Sequence, residues 1–366
     1  SFSLLRQPLL GGSTVDKQKN INYIEAYLLD NGWKGEIVAG ETWYTKGYVP
    51  RRTHKKKYIE LNKIYSVLKK NLGLGGHQEF HYDSVINPYG DTDYIIAGIQ
   101  LINSMKENDR KVRKSMYSFQ PVIRSIPMDK IGQPGYLPCF VNVCVIDINA
   151  SIENFVERVE EWITILSKCS IHISSLRIKI KYHTNAYDGI GLEICVHDEE
   201  IGQCNVYQID SYAGLVLDFG FGLERICWAA NDFTLFDSIC QKYEDFGLKN
   251  TDYSRIISII VLLLKSGVKP NSSKYGLKLR NVFEKYASKY VMWDYSDTVK
   301  FYYQYWSSFI ANEVLLEEIL ETFKAEIVYQ KKRIIAGNAN SPLPKKSDAF
   351  ENDELVLHYI RGHGYV

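Results

Sequence analysis

Apart from a helical stretch at 155–166, residues 140–218 follow the hydrophobic period of β-strands, whereas much of the chain on either side follows the period of helices. Four apolar residues in this region alternate with four polar ones: Leu176, Ile178, Ile180 and Tyr182 against Arg177, Lys179, Lys181 and His183. This alternation predicts a half-buried antiparallel strand. Further strand candidates lie at 140–148, 191–197, 203–209 and 214–218. Strands grouped in the middle of a chain, with helices outside them, predict an α+β fold with an antiparallel sheet rather than a doubly wound one.

Helical periodicity marks three segments. Apolar residues recur every three or four positions over 58–72. Ser151 precedes a second apolar face at 155–166, so this serine is a predicted N-cap. The pattern is helical again over 254–335, and the nine residues 256–264 are apolar almost all round. A helix that is apolar on every side is predicted to be buried.

The length of 366 residues suffices for more than one packed domain. Residues 1–57 are rich in glycine and end in a basic run, which predicts an N-terminal extension. The strands fall within 58–240, and the remainder, 241–366, is mostly helical. We therefore expect a sheet-containing domain followed by a helical domain.

Composition excludes several classes of protein. The 44 basic and 43 acidic side chains leave a formal charge of +1, so net charge predicts no general affinity for polyanions. No apolar run approaches about 18 residues and the first residues lack a signal-peptide pattern, so we expect a soluble cytoplasmic protein without a membrane partner. The seven cysteines include no CxxC pair and are expected to be reduced core residues. No HExxH motif occurs, and a tightly held metal is not expected.

A strand, two glycines and a helix start follow one another in residues 215–230. Asp218 ends the apolar part of the strand, Gly220 and Gly222 come next, and Arg225 lies in the first turn of the predicted helix. Such glycines let a ligand approach the backbone where a Cβ would clash. The helix start offers N–H groups to an anion, and a guanidinium can stack on a base. The pattern favours a nucleotide site, with an ordinary strand-to-helix turn as the alternative.

A second motif is the predicted hairpin of residues 118–140. Its first strand ends at a lone arginine, Arg124, and Phe140 begins the returning strand after a loop rich in glycine and proline. A guanidinium can bridge a carboxylate and a phosphate, and a phenyl ring can stack beneath adenine. The alternative for Arg124 is a surface salt bridge.

Together these segments resemble class II aminoacyl-tRNA synthetases, and in particular the alanyl-tRNA synthetase family. GFGLER after Asp218 is similar to motif 3 of that class, and the hairpin from Arg124 to Phe140 is similar to motif 2. The resemblance spans about 58–366 and includes PYGDTDYIIAGIQ, GLEI, SIIVLLLKSGVKPNSSKYGLKLRNVF and LHYIRGHGYV. It implies a catalytic domain at 58–240, with an antiparallel sheet flanked by helices. It also implies that 241–366 resembles the tRNA-recognition region.

The resemblance implies activation of an amino acid, alanine or a small analogue, to an aminoacyl-adenylate with transfer to tRNA, using ATP and Mg²⁺. The implied catalytic residues are Arg124 and Arg225. The implied ATP-binding residues are Arg124, Phe140, Val143, Gly220, Gly222 and Arg225. Asp218 and Asn205 are implied to bind the amino acid, and Glu193 the Mg²⁺ that arrives with ATP. Contacts to tRNA are expected from Lys265, Lys269, Lys274, Lys278 and Arg280.

The chain also departs from the family pattern. Tyr136, Leu137 and Pro138 stand where the family has Arg-His-His before the stacking phenylalanine. The connection from Tyr182 to Glu193 is short and lacks a tryptophan. No segment resembles the editing or C-terminal oligomerisation domain, and a monomer is expected. Two alternatives therefore stay open: an adenylate-forming ligase with a small-molecule or carrier-protein acceptor, and an inactive synthetase-like binding or regulatory subunit.

Overall fold

The computed structural model describes residues 14–49, 58–81, 84–87, 92–124, 136–184, 188–231, 251–290 and 293–335. The chain divides into two compact units. The first comprises Ser1–His81, Ala97–Gln120 and Val141–Gln241, and the second comprises Tyr82–Ile96, Pro121–Phe140 and Lys242–Val366. Nearly all of the sheet belongs to the first unit, and the long helices of 251–335 belong to the second.

A sheet of nine strands, in the order β1-β2-β6-β7-β8-β9-β5-β4-β3, is the main feature of the first unit. The strands are β1 (Lys34–Val38), β2 (Glu41–Thr45), β3 (Gln78–Glu79), β4 (Lys114–Ile123), β5 (Cys139–Ala150), β6 (Leu176–Thr184), β7 (Asp188–Val196), β8 (Glu199–Tyr207) and β9 (Leu215–Gly222). The helices are α1 (Thr14–Asp30), α2 (Leu61–Leu74), α3 (Ile152–Lys168) and α4 (Leu223–Ala230). The predicted α+β class is confirmed.

The sheet is mixed, which corrects the expectation of an antiparallel one. β6, β7, β8, β9 and β5 pair antiparallel in succession, as the alternating patterns predicted. At the far edge, β3 pairs in parallel with β4, with Gln78 opposite Met116. A strand of two residues carries no period, so its direction could not be deduced from the sequence.

Strand alternation gives the sheet an apolar face, which α3 covers. The rings of Trp162 and Phe221 stack with their centres 4.0 Å apart. Those of Phe155 and Phe219 meet edge-on at 5.3 Å. Aromatic pairs of this kind contribute about 0.5–1.5 kcal/mol each beyond the burial of their area. Asp218, which alternates with these phenylalanines along β9, therefore lies on the face away from α3.

Two strands from the segment assigned above to an N-terminal extension join this sheet. β2 pairs antiparallel with β6, and Trp43 lies opposite Lys179. The Trp43 ring receives the guanidinium of Arg177 at 4.5 Å and the ammonium of Lys179 at 4.7 Å. On α1, Glu25 accepts a hydrogen bond from the Tyr44 hydroxyl at 2.9 Å. The sheet thus extends into the first 57 residues.

The N-terminus of α3 confirms the predicted cap. The Ser151 hydroxyl accepts from the backbone N–H of Asn154 at 3.4 Å, and the Asn154 side chain accepts from the backbone N–H of Ser151 at 3.1 Å. These reciprocal hydrogen bonds satisfy two N–H groups that the helix itself cannot pair.

Ser151→Ala should lower the free energy of unfolding by about 1 kcal/mol, because it removes the side-chain acceptor of the cap. Urea unfolding followed by circular dichroism measures this loss. Ser151→Asn retains a capping acceptor and is the matched control, expected within about 0.5 kcal/mol of wild type. An equal loss in both variants would argue against the capping role.

The second unit contains four helices in the described part of the chain: α5 (Thr251–Lys265), α6 (Lys274–Tyr290), α7 (Ser296–Ser307) and α8 (Leu316–Ile335). Residues 256–264 of α5 are buried, as their pattern predicted. Trp306 of α7 donates its indole N–H to the Ser258 carbonyl at 3.1 Å. The expected loop at 338–353 and the apolar piece at 355–360 lie outside the described residues.

Two sequence-based expectations concern the whole chain. Among the described helices, none combines the length and apolar character that crossing a bilayer requires. The six cysteines in the described segments are buried and not disulfide-bonded, and Cys240 lies outside those segments.

Candidate functional site

Polar side chains collect on the sheet face away from α3. Asp218 of β9 lies directly opposite Asn205 of β8. Residues two apart in a strand share a face, so Gly220 and Gly222 continue that face beyond Asp218. Asn142 of β5 lies opposite Gly222. The two residues expected to bind an amino acid are therefore direct neighbours on adjacent strands.

Asp218 is a buried carboxylate, with only 4% of its surface exposed. The backbone N–H of Ile99 donates to it, but its Oδ1 atom has no hydrogen-bond partner in the described part of the chain. Burial raises the pKa of Asp218 to about 7, and the Ile99 hydrogen bond opposes this rise. A buried carboxylate oxygen without a partner is suited to accept hydrogen bonds from an ammonium group.

Gly98 approaches this carboxylate closely, at the start of the 3₁₀-helix Gly98–Ser104. A Cβ atom at this position would lie 3.1 Å from Oδ1 of Asp218 and 2.7 Å from Cβ of Cys144. The second distance leaves no room for any side chain, which explains the glycine. Gly98 was not predicted as a site residue, although it lies within the PYGDTDYIIAGIQ segment that carries part of the resemblance.

The two glycines of β9 each lie against a polar side chain. A Cβ on Gly220 would be 3.0 Å from Oδ1 of Asn142, and one on Gly222 would be 3.3 Å from carbons of the Arg225 side chain. Arg225 lies in the first turn of α4, where the sequence predicted it, and its guanidinium donates to the Glu200 carbonyl at 2.7 Å. The glycines thus keep the space above the strand free of side chains of their own.

Val143 is placed on the opposite face, which corrects its expected role as an ATP contact. It pairs with Phe221 in the β5–β9 register and is fully buried. Its neighbours Asn142 and Cys144 share the face of Asp218, because a shift of one residue reverses side-chain direction. Asn142, like Gly98, was missed by sequence reasoning, and the polar alternation of Asn142 and Cys144 within an apolar strand was the available signal.

Arg124 and Phe140 form a pair in the second unit. The backbone N–H of Arg124 donates to the Pro138 carbonyl at 3.0 Å. The guanidinium carbon of Arg124 lies 5.2 Å from the centre of the Phe140 ring, within the range of a cation–π contact. Arg124 is exposed whereas Phe140 is buried. The guanidinium is therefore open to a ligand, and the ring supports it.

Glu193 of β7 does not fit the magnesium site expected from the resemblance. Lys181 forms an ion pair with its carboxylate, and Nζ of Lys179 lies 3.7 Å from its Oε1. Two ammonium groups already neutralise this carboxylate, whereas Mg²⁺ requires free oxygen ligands. The described segments contain no group of three or more His, Cys, Asp or Glu residues that could hold a metal ion. We assign no catalytic step to Glu193.

Lys265 was expected to contact tRNA, but it is buried. Its ammonium donates to the carbonyls of Asn312 at 2.7 Å and Val314 at 3.4 Å. Burial lowers the pKa of this lysine. Lys265 thus joins the end of α5 to the chain before α8, and its charge does not face solvent where a polyanion could reach it.

The other basic residues of this set differ in their availability. Three of them form ion pairs: Lys274 and Lys278 with Asp93, and Arg280 with Glu326. Lys269 is exposed. Because an ion pair neutralises part of the charge, Lys269 is the residue of this set best placed to contact a phosphate.

A small apolar recess adjoins the Asp218 face in the first unit. Ile102, Met116, Cys144 and Ile146 are among its lining residues, and its free space is about 10 Å³. This volume is roughly that of one water molecule or methyl group. Ile146 lies opposite Asp218 in the strand register. The recess therefore lies on the same face of the sheet as Asp218.

The buried state of Asp218 predicts an unusual dependence of stability on pH. Its pKa rises from 3.8 to about 7 on folding, so the folded state holds this proton more tightly than the unfolded state. The contribution to the free energy of unfolding therefore decreases as pH rises from about 4 to about 7, opposite in sign to an ion-paired carboxylate.

Urea unfolding across this pH range, for wild type and Asp218→Asn, measures the effect as a difference. As pH rises, the free energy of unfolding of Asp218→Asn should increase relative to that of wild type. Parallel pH profiles in the two proteins would show that the Asp218 carboxylate is not buried in solution.

Comparisons with known proteins identify no family. No family model matches the chain, and no curated protein matches it. Solved structures do match, among them one described as a pyrrolysyl tRNA synthetase, PylSc, from Desulfitobacterium hafniense. It is 13% identical, with a TM-score of 0.35, over 47% of this chain and 67% of that chain. A TM-score this low supports no conclusion about fold or activity.

Proposed function

We propose that the chain activates an amino acid with ATP and forms an aminoacyl-adenylate. The observation that carries the proposal is the buried Asp218 carboxylate, whose Oδ1 lacks a partner in the described segments and whose strand neighbour is Asn205. A substrate ammonium would satisfy that oxygen. Gly220 and Gly222 leave space along the same strand for the rest of the ligand. The resemblance of this segment to motif 3 of class II synthetases supports the same assignment.

In the proposed reaction, a carboxylate oxygen of the amino acid attacks the α-phosphorus of ATP. A new oxygen–phosphorus bond forms, and the bond to the bridging oxygen breaks. Pyrophosphate leaves with that electron pair and with the Mg²⁺ that accompanies ATP. The protein supplies no nucleophile, so it accelerates the reaction by positioning and by charge neutralisation.

Each residue has a defined part in this proposal. Asp218 holds the substrate ammonium, and Asn205 lies beside it. The resemblance assigns to Arg124 the bridge between the substrate carboxylate and the α-phosphate, a role that would neutralise charge at the phosphorus. The resemblance to class II synthetases assigns adenine stacking to Phe140 and, separately, to Arg225. The open guanidinium of Arg124 and the position of Arg225 in the first turn of α4 support these parts.

The substrate is proposed to have a small apolar side chain, as in alanine or a close analogue. The recess beside Cys144 and Ile146 holds about one methyl group, and its walls are apolar. Each additional methylene that the recess cannot accept weakens transition-state binding of the larger amino acid by roughly 1–3 kcal/mol, or about 10- to 200-fold in kcat/KM. The chain should therefore prefer alanine over valine and leucine.

Amino-acid-dependent exchange of pyrophosphate into ATP tests the proposal. All proteinogenic amino acids and small alanine analogues are screened with the purified chain. We expect exchange with one or a few small apolar amino acids. Binding of ATP without exchange for any amino acid would favour the inactive binding or regulatory subunit.

We further propose that tRNA is the acceptor of the activated amino acid. The basic residues of the second unit support this, since exposed lysines such as Lys269 can contact RNA phosphates. The competing reading is a small-molecule or carrier-protein acceptor. Fast exchange without any aminoacyl-tRNA, tested with total tRNA and the amino acid identified by the screen, would favour that reading.

Lys269→Glu should weaken tRNA charging and leave pyrophosphate exchange unchanged. Loss of one phosphate contact reduces the slope of log KM for tRNA against log salt concentration by about one. Charging is measured across a salt series. Lys324→Glu, an exposed charge reversal on α8 of the same unit, is the control. Equal effects of the two reversals would show that only overall charge matters.

A further inference from the structure

β1 stands at one end of the strand order in the described sheet and pairs only with β2 there. All five residues of β1 are exposed, and Ile37 is 76% exposed. A strand with a single neighbour presents the N–H and C=O groups of every second residue on its other side. β1 therefore offers an edge to which a further strand can add.

The turn between β1 and β2 determines which residues present those groups. Ala39 and Gly40 have φ values of 52° and 82°, as in the type I′ turn of two-residue hairpins. Val38 and Glu41 are the closing pair. Such a pair is hydrogen-bonded within the hairpin, and bonded and non-bonded pairs alternate from there. The backbone N–H and C=O groups on the unpaired side of β1 consequently belong to Ile37 and Gly35.

The side chains flanking Gly35 carry opposite charges. Lys34 precedes this glycine and Glu36 follows it, and both are exposed. When two Lys-Gly-Glu segments pair antiparallel, the charges of their lysine and glutamate side chains are complementary. Two copies paired about an axis through Gly35 place each Lys34 opposite the Glu36 of the other copy. Pairing about Glu36 instead would place two carboxylates opposite each other, which is unfavourable.

We propose that two copies of this chain associate through antiparallel pairing of their β1 strands, centred on Gly35. The backbone N–H and C=O groups of the two facing Gly35 residues form two new hydrogen bonds, and two Lys34–Glu36 pairs fix the register. Twofold symmetry ends the assembly at two copies. Two strands of five residues bury little surface, so the association is weak and depends on concentration.

Sedimentation equilibrium of the full chain at low salt tests this association. Wild type is expected to dimerise reversibly as its concentration increases. Lys34→Glu and Glu36→Lys each place like charges opposite one another and should raise the dimer Kd about tenfold or more. The double variant Lys34→Glu/Glu36→Lys reverses both charges, restores complementarity and should recover the wild-type Kd.

Lys63→Glu is the control, since it makes the same charge change on an exposed residue of α2 and should leave the Kd unchanged. Circular dichroism confirms that each variant is folded. A wild-type chain that stays monomeric at every concentration would overturn the proposal. So would single variants that dimerise as wild type does, or a double variant that fails to recover dimerisation.

Discussion

Asp218→Asn should raise the KM for the activated amino acid by roughly 100- to 4000-fold, with a much smaller change in the KM for ATP. Removing one charge of a buried pair costs about 3–5 kcal/mol, because the other charge is left without compensation. In the proposed complex that other charge is the substrate ammonium. Asparagine keeps the shape of the side chain, so the loss reports on charge rather than on packing.

The same assignment predicts a pH profile for wild type. Only the ionised carboxylate attracts an ammonium group, and the pKa of Asp218 is about 7. Below that pH, kcat/KM for the amino acid should fall about tenfold per pH unit. In Asp218→Asn this dependence should be absent. Asp210→Asn removes an exposed carboxylate from the β8–β9 connection and is the control. If Asp218→Asn and Asp210→Asn behave alike, Asp218 does not bind the amino acid.

Arg124→Ala should lower kcat for pyrophosphate exchange by roughly 100- to 1000-fold. A charged donor placed where charge develops in the transition state contributes about 3–4 kcal/mol, and alanine removes it entirely. Arg124→Lys keeps the charge without the paired hydrogen bonds and should recover only part of the rate. Exchange kinetics at saturating ATP and amino acid give kcat directly.

Arg225→Ala should affect the same reaction differently, because its proposed contact is to adenine and not to the reacting phosphate. We expect a higher KM for ATP with a smaller loss of kcat. Arg113→Ala removes an exposed arginine just before β4 and is the control for both variants. If Arg124→Ala and Arg225→Ala both stay within about threefold of wild type while folded, neither arginine belongs to the site.

The elements that could be predicted from the sequence are those with a complete hydrophobic period. β6 alternates over its full length, α5 is apolar on all sides, and Ser151 has the side chain that a cap requires. β1 and β2 were not predicted, because they are short and largely exposed, so no apolar stripe marks them. Their place in the sheet depends on contacts between Trp43 and β6, which are far apart in sequence.

The part of the candidate site that lies within one continuous segment of the chain could be predicted from the sequence. Asp218 and the two glycines of β9 follow one another in the chain, so their common face follows from strand alternation alone. Gly98 and Asn142 reach Asp218 and Gly220 only through packing and register, which the sequence does not specify. The burial of Lys265 could not be predicted for a similar reason, because the sequence does not show whether the ammonium group of a lysine is buried.

The most direct measurement of the central claim is chemical quenching of a single turnover. The purified chain is mixed with α-labelled ATP, Mg²⁺ and the amino acid, and the quenched products are separated. We predict an enzyme-bound aminoacyl-adenylate in near-stoichiometric amount, formed only with the amino acid present and lost in Arg124→Ala. If ATP binds and yet no labelled adenylate forms with any amino acid, the chain does not activate amino acids and the proposed function is wrong.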